Sequence, residues 1–339
     1  MNIKSSIKIC NETIHPGEFI SLALPLPELY SCLPAFMPIK VFNGKKAGPI
    51  LLVFAAINGD ELNGITIINK LISYKKLKQL NGTLILVPVV NVFGLANKSK
   101  YLPGNVLLNE TFPGSKTGTH ADRIAHLFLS EIFELADYAI SLETGPLNHS
   151  HLPEISVDSK QEECMNAAKA FRAPIITNAK GHAKSLVEYA KTHKKNFLTY
   201  TAGESFRFDS NAITTGVKGI LNLMSYLKMI PEKEAKSTKT PESVFLDSSK
   251  WIRTSFTGIS TSLVKLGAHV KKNTPLATID DPFGSNYPHS ITSPSDGIIV
   301  GINNVPLVKE GEALFKLASF TGHEDNSAHL QKWDEFAQE

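Results

Sequence analysis

The alternation of apolar and polar segments along the chain predicts buried strands that alternate with amphipathic helices. Ile50–Ala56 is a continuous apolar run, as expected for a strand buried on both faces. Glu61–Tyr74 then places its apolar residues at helical spacing, and Thr83–Val90 is a second apolar run. A strand, a helix and a strand at this spacing predict a βαβ unit with two parallel strands.

The same alternation continues to about residue 229 and predicts a doubly wound α/β sheet. The further predicted strands are Tyr138–Leu142, Pro153–Val157, Pro174–Thr177 and Phe197–Tyr200. The further predicted helices are Ala121–Leu135, Lys160–Phe171, Lys184–Thr192 and Asn211–Met229. Between them, Asn91–Gly118 is long, polar and rich in glycine and proline, which predicts a packed functional loop.

Changes in composition divide the chain into domains. Residues 1–230 form the α/β domain, and its first segment, 1–48, is predicted to be rich in β structure. Residues 231–249 are polar and charged, as is typical of a linker. Residues 250–318 contain short apolar runs separated by glycine turns, which predicts a small all-β barrel or sandwich. Residues 319–339 form a polar tail.

Composition narrows the class of protein and of partner. Of 339 residues, 42% are hydrophobic and 20% charged, the profile of a soluble globular protein. A net charge of +3 argues against nucleic acid or an anionic membrane as the partner. No run approaches the ~20 apolar residues of a membrane span. Because the start of the chain has no apolar core of a signal peptide and the three cysteines are widely spaced, we expect a cytoplasmic protein.

Candidate chemistry begins in the stretch Leu51–Gly64 (LLVFAAINGDELNG), where a strand ends in a polar turn that carries Asn58 and Glu61. Open α/β sheets bind ligands just past the carboxyl ends of their strands, near helix N-termini. Glu143 and Thr201 also follow apolar runs that are predicted strands. We therefore expect the functional groups at this edge of the sheet.

Several longer motifs follow one another over roughly residues 35–318. They read AAINGDELNG, GTLILVPVVNVFGL, YLPGNVLLNETFPGS, ADYAISLETG, HLPEI and LTYTAGESFRFD, and a last motif after these is the β segment that ends in LVKEGEALF. In these motifs the chain resembles the succinylglutamate desuccinylase/aspartoacylase family, which is related to the zinc carboxypeptidases. The resemblance implies a zinc-carboxypeptidase-like doubly wound mixed sheet followed by the all-β domain. It also implies a metal-dependent hydrolase, a deacylase, whose zinc-bound water attacks the amide or ester carbonyl of an N-acyl amino acid or a related small amide.

The resemblance also implies positions for the metal and the catalytic groups. The family's first motif reads His-Gly-x-Glu and supplies two metal ligands, and here Asn58 stands at the histidine and Glu61 at the glutamate. The third metal ligand, a histidine before Thr-Gly, is replaced by Glu143. The glutamate that acts as catalytic acid and base is replaced by Thr201.

The family's substrate-binding positions carry over in the same way. Its carboxylate-gripping arginine, after Leu-Asn, is replaced by Glu110, and Asn109 precedes it. Thr144 and His149 are the other positions that the resemblance assigns to the substrate. The implied partner is a small-molecule ligand, and a homo-oligomer stays open.

The replaced residues change the chemistry that the site can perform. Asn58, Glu61 and Glu143 offer oxygen ligands alone, whereas catalytic zinc prefers imidazole nitrogen. An all-oxygen set favours Mg, Mn or Ca, or no metal at all. Without a carboxylate at Thr201, no obvious group takes a proton from bound water. These substitutions argue against ordinary zinc catalysis.

Nearby groups have two interpretations each. His149 and His151 either turn toward the site and supply imidazole or play no part in it. Glu204 is either a displaced general base or a loop carboxylate bonded to nearby backbone. Glu110 either joins Glu61 and Glu143 in an acidic cluster that binds a cation or an amine, or it points to solvent or pairs with a lysine such as Lys98.

Arg123 and His126 lie on the helix that follows the long loop. Arg123 pairs either with a carboxylate of the site or with Asp122 or Asp137, and we favour the aspartates. We predict that His126 packs in the protein interior.

Two functions remain open at this point. The first is a metal-dependent hydrolase with an altered site that acts on an N-acyl amino acid or a related small amide. The second is a catalytically inactive pseudoenzyme that binds a small molecule or serves as a scaffold. Metal content distinguishes them, because only the first requires a bound ion.

Overall fold

A computed structural model of the protein describes residues 6–30, 34–74, 77, 79–231, 243–246, 248–284 and 288–319. Its strands are β1 (Ile7–Ile9), β2 (Glu12–Ile14), β3 (Phe19–Pro25), β4 (Phe36–Asn43), β5 (Lys46–Ala55), β6 (Asn81–Val87), β7 (Tyr138–Gly145), β8 (His149–Val157), β9 (Ile175–Asn178), β10 (Asn196–Glu204), β11 (Val244–Leu246), β12 (Ser248–Arg253), β13 (Gly258–Ser262), β14 (His269–Val270), β15 (Pro275–Asp280), β16 (His289–Thr292), β17 (Gly297–Asn303), β18 (Leu307–Val308) and β19 (Ala313–Ser319). Its α-helices are α1 (Leu62–Ile72), α2 (Val92–Ala96), α3 (His120–Glu131), α4 (Glu162–Phe171), α5 (Leu186–Thr192) and α6 (Ser210–Tyr226). None of these helices is long and apolar enough to cross a membrane.

A mixed sheet organises the described part of the chain. Its main path runs β12-β19-β17-β8-β10-β7-β5-β6-β4-β3. Strand β5 pairs in parallel with both β6 and β7, which confirms the βαβ unit, and β7 pairs in parallel with β10. Strands β8 and β4 run antiparallel to their neighbours β10 and β6. The mixed α/β fold predicted from the sequence is confirmed.

Helices cover both faces of this sheet because its strands carry apolar residues on both sides. Buried residues of α1, α4 and α6 form one core with the sheet. Buried residues of α3 and α5 form a second core on the opposite face, together with strands β1 and β2. This layered arrangement leaves the ends of the strands as the open edge where a site can form.

The C-terminal β region is continuous with the main sheet. Gly301 in β17 pairs with His151 in β8, so β17, β19 and β12 extend the α/β sheet. A separate four-stranded sheet of β16, β15, β13 and β18 completes the region within the described residues. The boundary that composition predicts near residue 250 stays a prediction.

Two expectations from the sequence need correction, and a third concerns residues that the structure does not describe. Within Asn91–Gly118, α2 and a helical turn at Leu108–Glu110 replace part of the predicted loop. In the predicted linker 231–249, residues 232–242 lie outside the described residues, but β11 and the start of β12 are strands. Strand β11 pairs with β9 at the edge of the sheet. The sequence did not predict this strand because the residues around it are polar. The predicted tail from residue 320 lies outside the described residues.

Candidate functional site

The turn after β5 fixes Glu61 at the edge of the sheet. The Glu61 backbone N–H donates to the Asn58 carbonyl oxygen at 3.2 Å, which closes the turn just before α1. The Glu61 side chain then folds back on the same turn. Its Oε2 accepts from the Asn58 backbone N–H at 3.1 Å, and its Oε1 accepts from Asn58 Nδ2 at 2.9 Å.

Close packing holds this turn against the sheet. A Cβ atom on Gly64 would lie 2.7 Å from the Ala55 Cβ and 2.9 Å from the Leu142 Cβ. Only glycine lets the first turn of α1 approach β5 and β7 this closely. The position of Glu61 therefore follows from packing as well as from its hydrogen bonds.

Glu143 and Thr201 lie side by side on adjacent strands. Thr201 in β10 is in register with Glu143 in β7 on one side and with Glu154 in β8 on the other. Because residues in register point to the same face of a sheet, the three side chains form one polar row. Glu143 accepts a hydrogen bond from Ser141 Oγ at 2.9 Å.

Burial raises the pKa values of the two carboxyls at this edge. Glu61 is 3% exposed, and burial raises its pKa well above the ordinary range. The charge of Glu143 raises the Glu61 pKa further, against the lowering effect of the Asn58 hydrogen bonds. Burial also raises the pKa of Glu143, although the Ser141 hydrogen bond lowers it. Because neither forms an ion pair within the described residues, the two carboxyls resist carrying a charge at the same time.

These residues do not fit the catalytic zinc that the resemblance implies. Such a zinc takes three protein ligands, drawn largely from neutral imidazole, and one open position. At the histidine position, Asn58 turns its NH₂ group to Glu61, and both Glu61 oxygens accept from Asn58. In the described part of the chain, no group of three or more His, Cys, Asp or Glu residues could hold a metal ion.

The two nearby histidines contact the C-terminal region. The rings of His149 and His151 lie 5.4 Å and 6.0 Å from the ring of Trp251 in β12, between centroids. His149 Nδ1 is also 3.0 Å from the Leu147 carbonyl oxygen. Burial lowers the pKa of His151 to about 3, and the charge of Lys316 contributes to this shift. The structure therefore groups both imidazoles with Trp251, and they do not complete a ligand set with Glu61 and Glu143.

Glu204 is saturated with hydrogen bonds and is 3% exposed. Its Oε1 accepts from the Asn148 backbone N–H and from Arg207 Nε, each at 3.0 Å. Its Oε2 accepts from Asn304 Nδ2 at 2.6 Å and from Ser150 Oγ at 3.3 Å. A carboxylate held by four donors is a poor general base, so the geometry favours the loop-carboxylate interpretation.

The residues predicted to bind the substrate do not form one site within the described residues. Asn109 Oδ1 accepts from the Leu186 backbone N–H at 3.0 Å and so ties the helical turn to the start of α5. The Glu110 side chain is exposed and forms no hydrogen bond or ion pair within the described residues. The acidic cluster that included Glu110 is not formed, because the helical turn directs this side chain outward.

Thr144 also lies outside the predicted site. It is 9% exposed, and its hydroxyl contacts the Gly145 carbonyl oxygen at 2.9 Å and Ser205 Oγ at 3.2 Å. Successive residues of a strand point to opposite faces, so Thr144 points away from the face that carries Glu143. The sequence prediction missed this because it ended the strand at Leu142, whereas β7 continues to Gly145.

A cavity of about 410 Å³, here called the slot, lies over the polar row. It is lined by Asn109, Glu143, Glu154, Ser156, Thr177, Asn178, Ala179, Lys180, His182, Ser185, Val187, Thr199, Thr201, Leu246, Ser249, Trp251 and Lys316. Ser156 and Thr177 share a hydrogen bond at 2.6 Å. Thr199 is 7% exposed, and its hydroxyl has no partner among the described residues. An unsatisfied hydroxyl in the floor of a polar cavity indicates a position for a ligand atom or a water.

Sequence reasoning missed most of this lining. The recurrence of Thr199 and Thr201 on one face of β10 was a usable signal, because polar residues rarely recur at every second position of a strand that is buried on both sides. Trp251 and Lys316 gave no local signal. They reach the slot only because β12 and β19 extend the sheet.

Comparison with known proteins identifies the family of this chain. The family model of the succinylglutamate desuccinylase/aspartoacylase catalytic domain matches residues 47–227, more than half of the chain. The chain belongs to the succinylglutamate desuccinylase/aspartoacylase family. The matched range includes Asn58, Glu61, Glu143 and Thr201.

Members of the family are similar to this chain over nearly its whole length. An N-alpha-acetyl-L-2,4-diaminobutyric acid deacetylase from Halomonas elongata is 27% identical over 316 residues, which are 88% of this chain and 90% of the relative. The product-bound ectoine utilization protein EutE (DoeB) from Ruegeria pomeroyi has a TM-score of 0.77 at 21% identity, covering 89% of this chain and 95% of that structure. A family member from Rhodobacter sphaeroides has a TM-score of 0.77 at 19% identity, covering 89% and 96%. The two structures support the fold.

Proposed function

We propose that this family member binds a small molecule carrying a protonated amine in the slot, without zinc-assisted hydrolysis. The observation that carries the proposal is the pair of carboxyls formed by buried Glu61 and half-buried Glu143, whose pKa values are both raised. An ammonium group beside them would favour their ionised forms and offset the cost of burying their charge. Asn58 also argues against zinc binding, because both carboxylate oxygens of Glu61 accept hydrogen bonds from it.

The slot has the size and lining that such a ligand needs. Its volume of about 410 Å³ lies within the range of about 300–1,000 Å³ that is typical of small-molecule sites. Glu143 and Thr201 line it near the acidic pair, and the unpartnered Thr199 hydroxyl offers a further hydrogen bond. The Glu143 carboxyl and the threonine hydroxyls can bind a ligand by hydrogen bonds without a metal ion.

Metal-dependent hydrolysis of a small amide is the second candidate. It is supported by family membership and by similarity to a deacetylase over 88% of the chain. The substrate class would be N-acyl amino acids. The donor set then favours Mg, Mn or Ca over zinc, and a group other than Thr201 would accept the proton from water. A cytoplasmic location and a homo-oligomer belong to the same set of proposals.

Calorimetric titration with putrescine, a diamine without a carboxylate, tests the proposal. We expect saturable binding that Glu143→Gln weakens about tenfold or more, because the variant removes a carboxyl that faces the slot without an ion-pair partner among the described residues, whereas Glu154 pairs with Lys316. Glu110→Gln is the matched control and should leave the affinity unchanged, since Glu110 is exposed. Hydrolysis of N-acetyl-L-2,4-diaminobutyrate by the unmodified protein would favour the second candidate instead.

The pH dependence of amine binding supplies a second test. Because the pKa values of both carboxyls are raised, at least part of the pair is protonated at low pH and must release a proton when an ammonium binds. The affinity should therefore increase from about pH 5 to about pH 8, and titrations in buffers of different ionisation enthalpy should report proton release. An affinity independent of pH would count against the role of Glu61 and Glu143.

A further inference from the structure

A second cavity, of about 590 Å³, lies between α3 and the end of β3. Its lining residues are Pro25, Leu26, Pro27, Lys116, Arg123, His126, Leu127, Ser130 and Glu131. None of them lines the slot. The ring of His120, at the first position of α3, contacts the Pro27 carbonyl oxygen at 2.9 Å and so joins the two walls.

Arg123 enters this cavity without the partners that its sequence neighbours suggest. Asp122 caps α3, and its Oδ2 accepts from the Thr119 backbone N–H at 2.9 Å and from the Thr119 hydroxyl at 2.7 Å. Asp137 accepts from the Ile50 backbone N–H at 2.8 Å. The prediction that Arg123 pairs with either aspartate is therefore wrong, and its buried Nε has no hydrogen-bond partner among the described residues. A buried donor without an acceptor destabilises the folded protein.

His126 lies one turn along α3, on the same face as Arg123. Its Nε2 is also buried and has no partner among the described residues. Lys116 adds an exposed ammonium at the rim of the cavity. Glu131 is the single carboxylate in this lining, and it forms no ion pair within the described residues, although its charge raises the pKa of Cys10.

We propose that this cavity binds a phosphate group, either as inorganic phosphate or as a phosphomonoester. The Arg123 guanidinium presents planar donors that match phosphate oxygens, and the His126 and Lys116 nitrogens supply further donors. A bound phosphate would accept hydrogen bonds from the two buried nitrogens that lack partners. The site is independent of the amine proposed for the slot.

Titration of the full chain with inorganic phosphate tests this inference. We expect saturable binding of one phosphate per chain, weakened about tenfold or more by Arg123→Gln. Arg172→Gln is the matched control. Arg172 is exposed at the end of α4, and its replacement changes the net charge by the same amount. Glycerol 3-phosphate and acetate, titrated in parallel, distinguish a phosphomonoester site, a free phosphate site and general anion binding.

Two further variants keep the test decisive if Arg123→Gln impairs folding. Lys116→Gln changes an exposed side chain at the rim and should weaken phosphate about threefold. Arg123→Lys keeps the charge but loses the planar fork and should weaken binding as well. No saturable binding of phosphate by the unmodified protein, equal affinity for acetate, or equal loss with Arg172→Gln would overturn the inference.

Discussion

At the scale of single residues, Asn58 and Glu143 determine what the site can do. Asn58 Nδ2 donates to Glu61 Oε1 at 2.9 Å in the turn after β5. Glu143 adds a second carboxyl with a raised pKa within electrostatic reach of Glu61. The substitutions themselves were visible in the sequence. The outward direction of Glu110 and the saturation of Glu204 were not, because each depends on contacts between distant segments.

The raised pKa of Glu143 leads to a prediction about stability. A carboxyl whose pKa is higher in the folded state binds protons more tightly there, so its ionisation destabilises the fold as pH rises through that pKa. Glu143→Gln should therefore increase the free energy of unfolding by about 1 kcal/mol near pH 8 and by much less near pH 5. Urea unfolding at both pH values measures the difference. Glu110→Gln should change stability little at either pH, and a destabilised Glu143→Gln at pH 8 would contradict the account.

At the scale of elements, the sequence predicted the apolar centres of the strands but not their polar ends. Strands β7 and β10 were expected to end at Leu142 and Tyr200, yet they continue to Gly145 and Glu204. The last residues of each are polar because they line the slot or hold loops, so hydrophobic periodicity does not detect them. Placing Glu143 and Thr201 inside strands explains why they lie side by side.

Glu204 joins three elements, and its removal should separate them. It accepts from Asn148 before β8, from Ser150 in β8 and from Asn304 just after β17. Glu204→Gln replaces one acceptor oxygen by an NH₂ group, which then faces the donors that the oxygen accepted from. We therefore expect the free energy of unfolding to fall by about 1–3 kcal/mol. Ser150→Ala removes the 3.3 Å bond to Glu204 and the bond that Ser150 Oγ accepts from Asn304 Nδ2 at 2.7 Å. Because Asn304 Nδ2 still donates to Glu204, this change should cost less. Equal stability of Glu204→Gln and the unmodified protein in urea would refute the proposed junction.

The close approach of α1 to the sheet gives a second prediction for elements. A methyl group at Gly64 would meet Ala55 and Leu142 at less than 3.0 Å, so the helix would have to move outward. Gly64→Ala should destabilise the protein by about 1–3 kcal/mol, despite the better helix propensity of alanine. Asn69→Ala, at an exposed position of the same helix, should be neutral or slightly stabilising. Thermal unfolding of both variants measures the contrast, and a stabilised Gly64→Ala would contradict this packing.

At the scale of the whole molecule, one sheet unites regions that composition separates. The sequence indicated an α/β part and a β part, and both are present. It did not indicate that β17 pairs with β8, because pairing between strands about 150 residues apart leaves no local pattern. This pairing brings Trp251 and Lys316 to the slot, so the ligand site draws on both regions.

Metal content tests the central claim most directly. Elemental analysis of the protein purified from zinc-supplemented medium should find well below one zinc atom per chain, because Asn58, Glu61 and Glu143 do not offer the donors that catalytic zinc requires. The double variant Asn58→His, Glu143→His restores two imidazoles beside Glu61 and should gain about one zinc per chain. Stoichiometric zinc in the unmodified protein that disappears with Glu61→Ala would contradict the account.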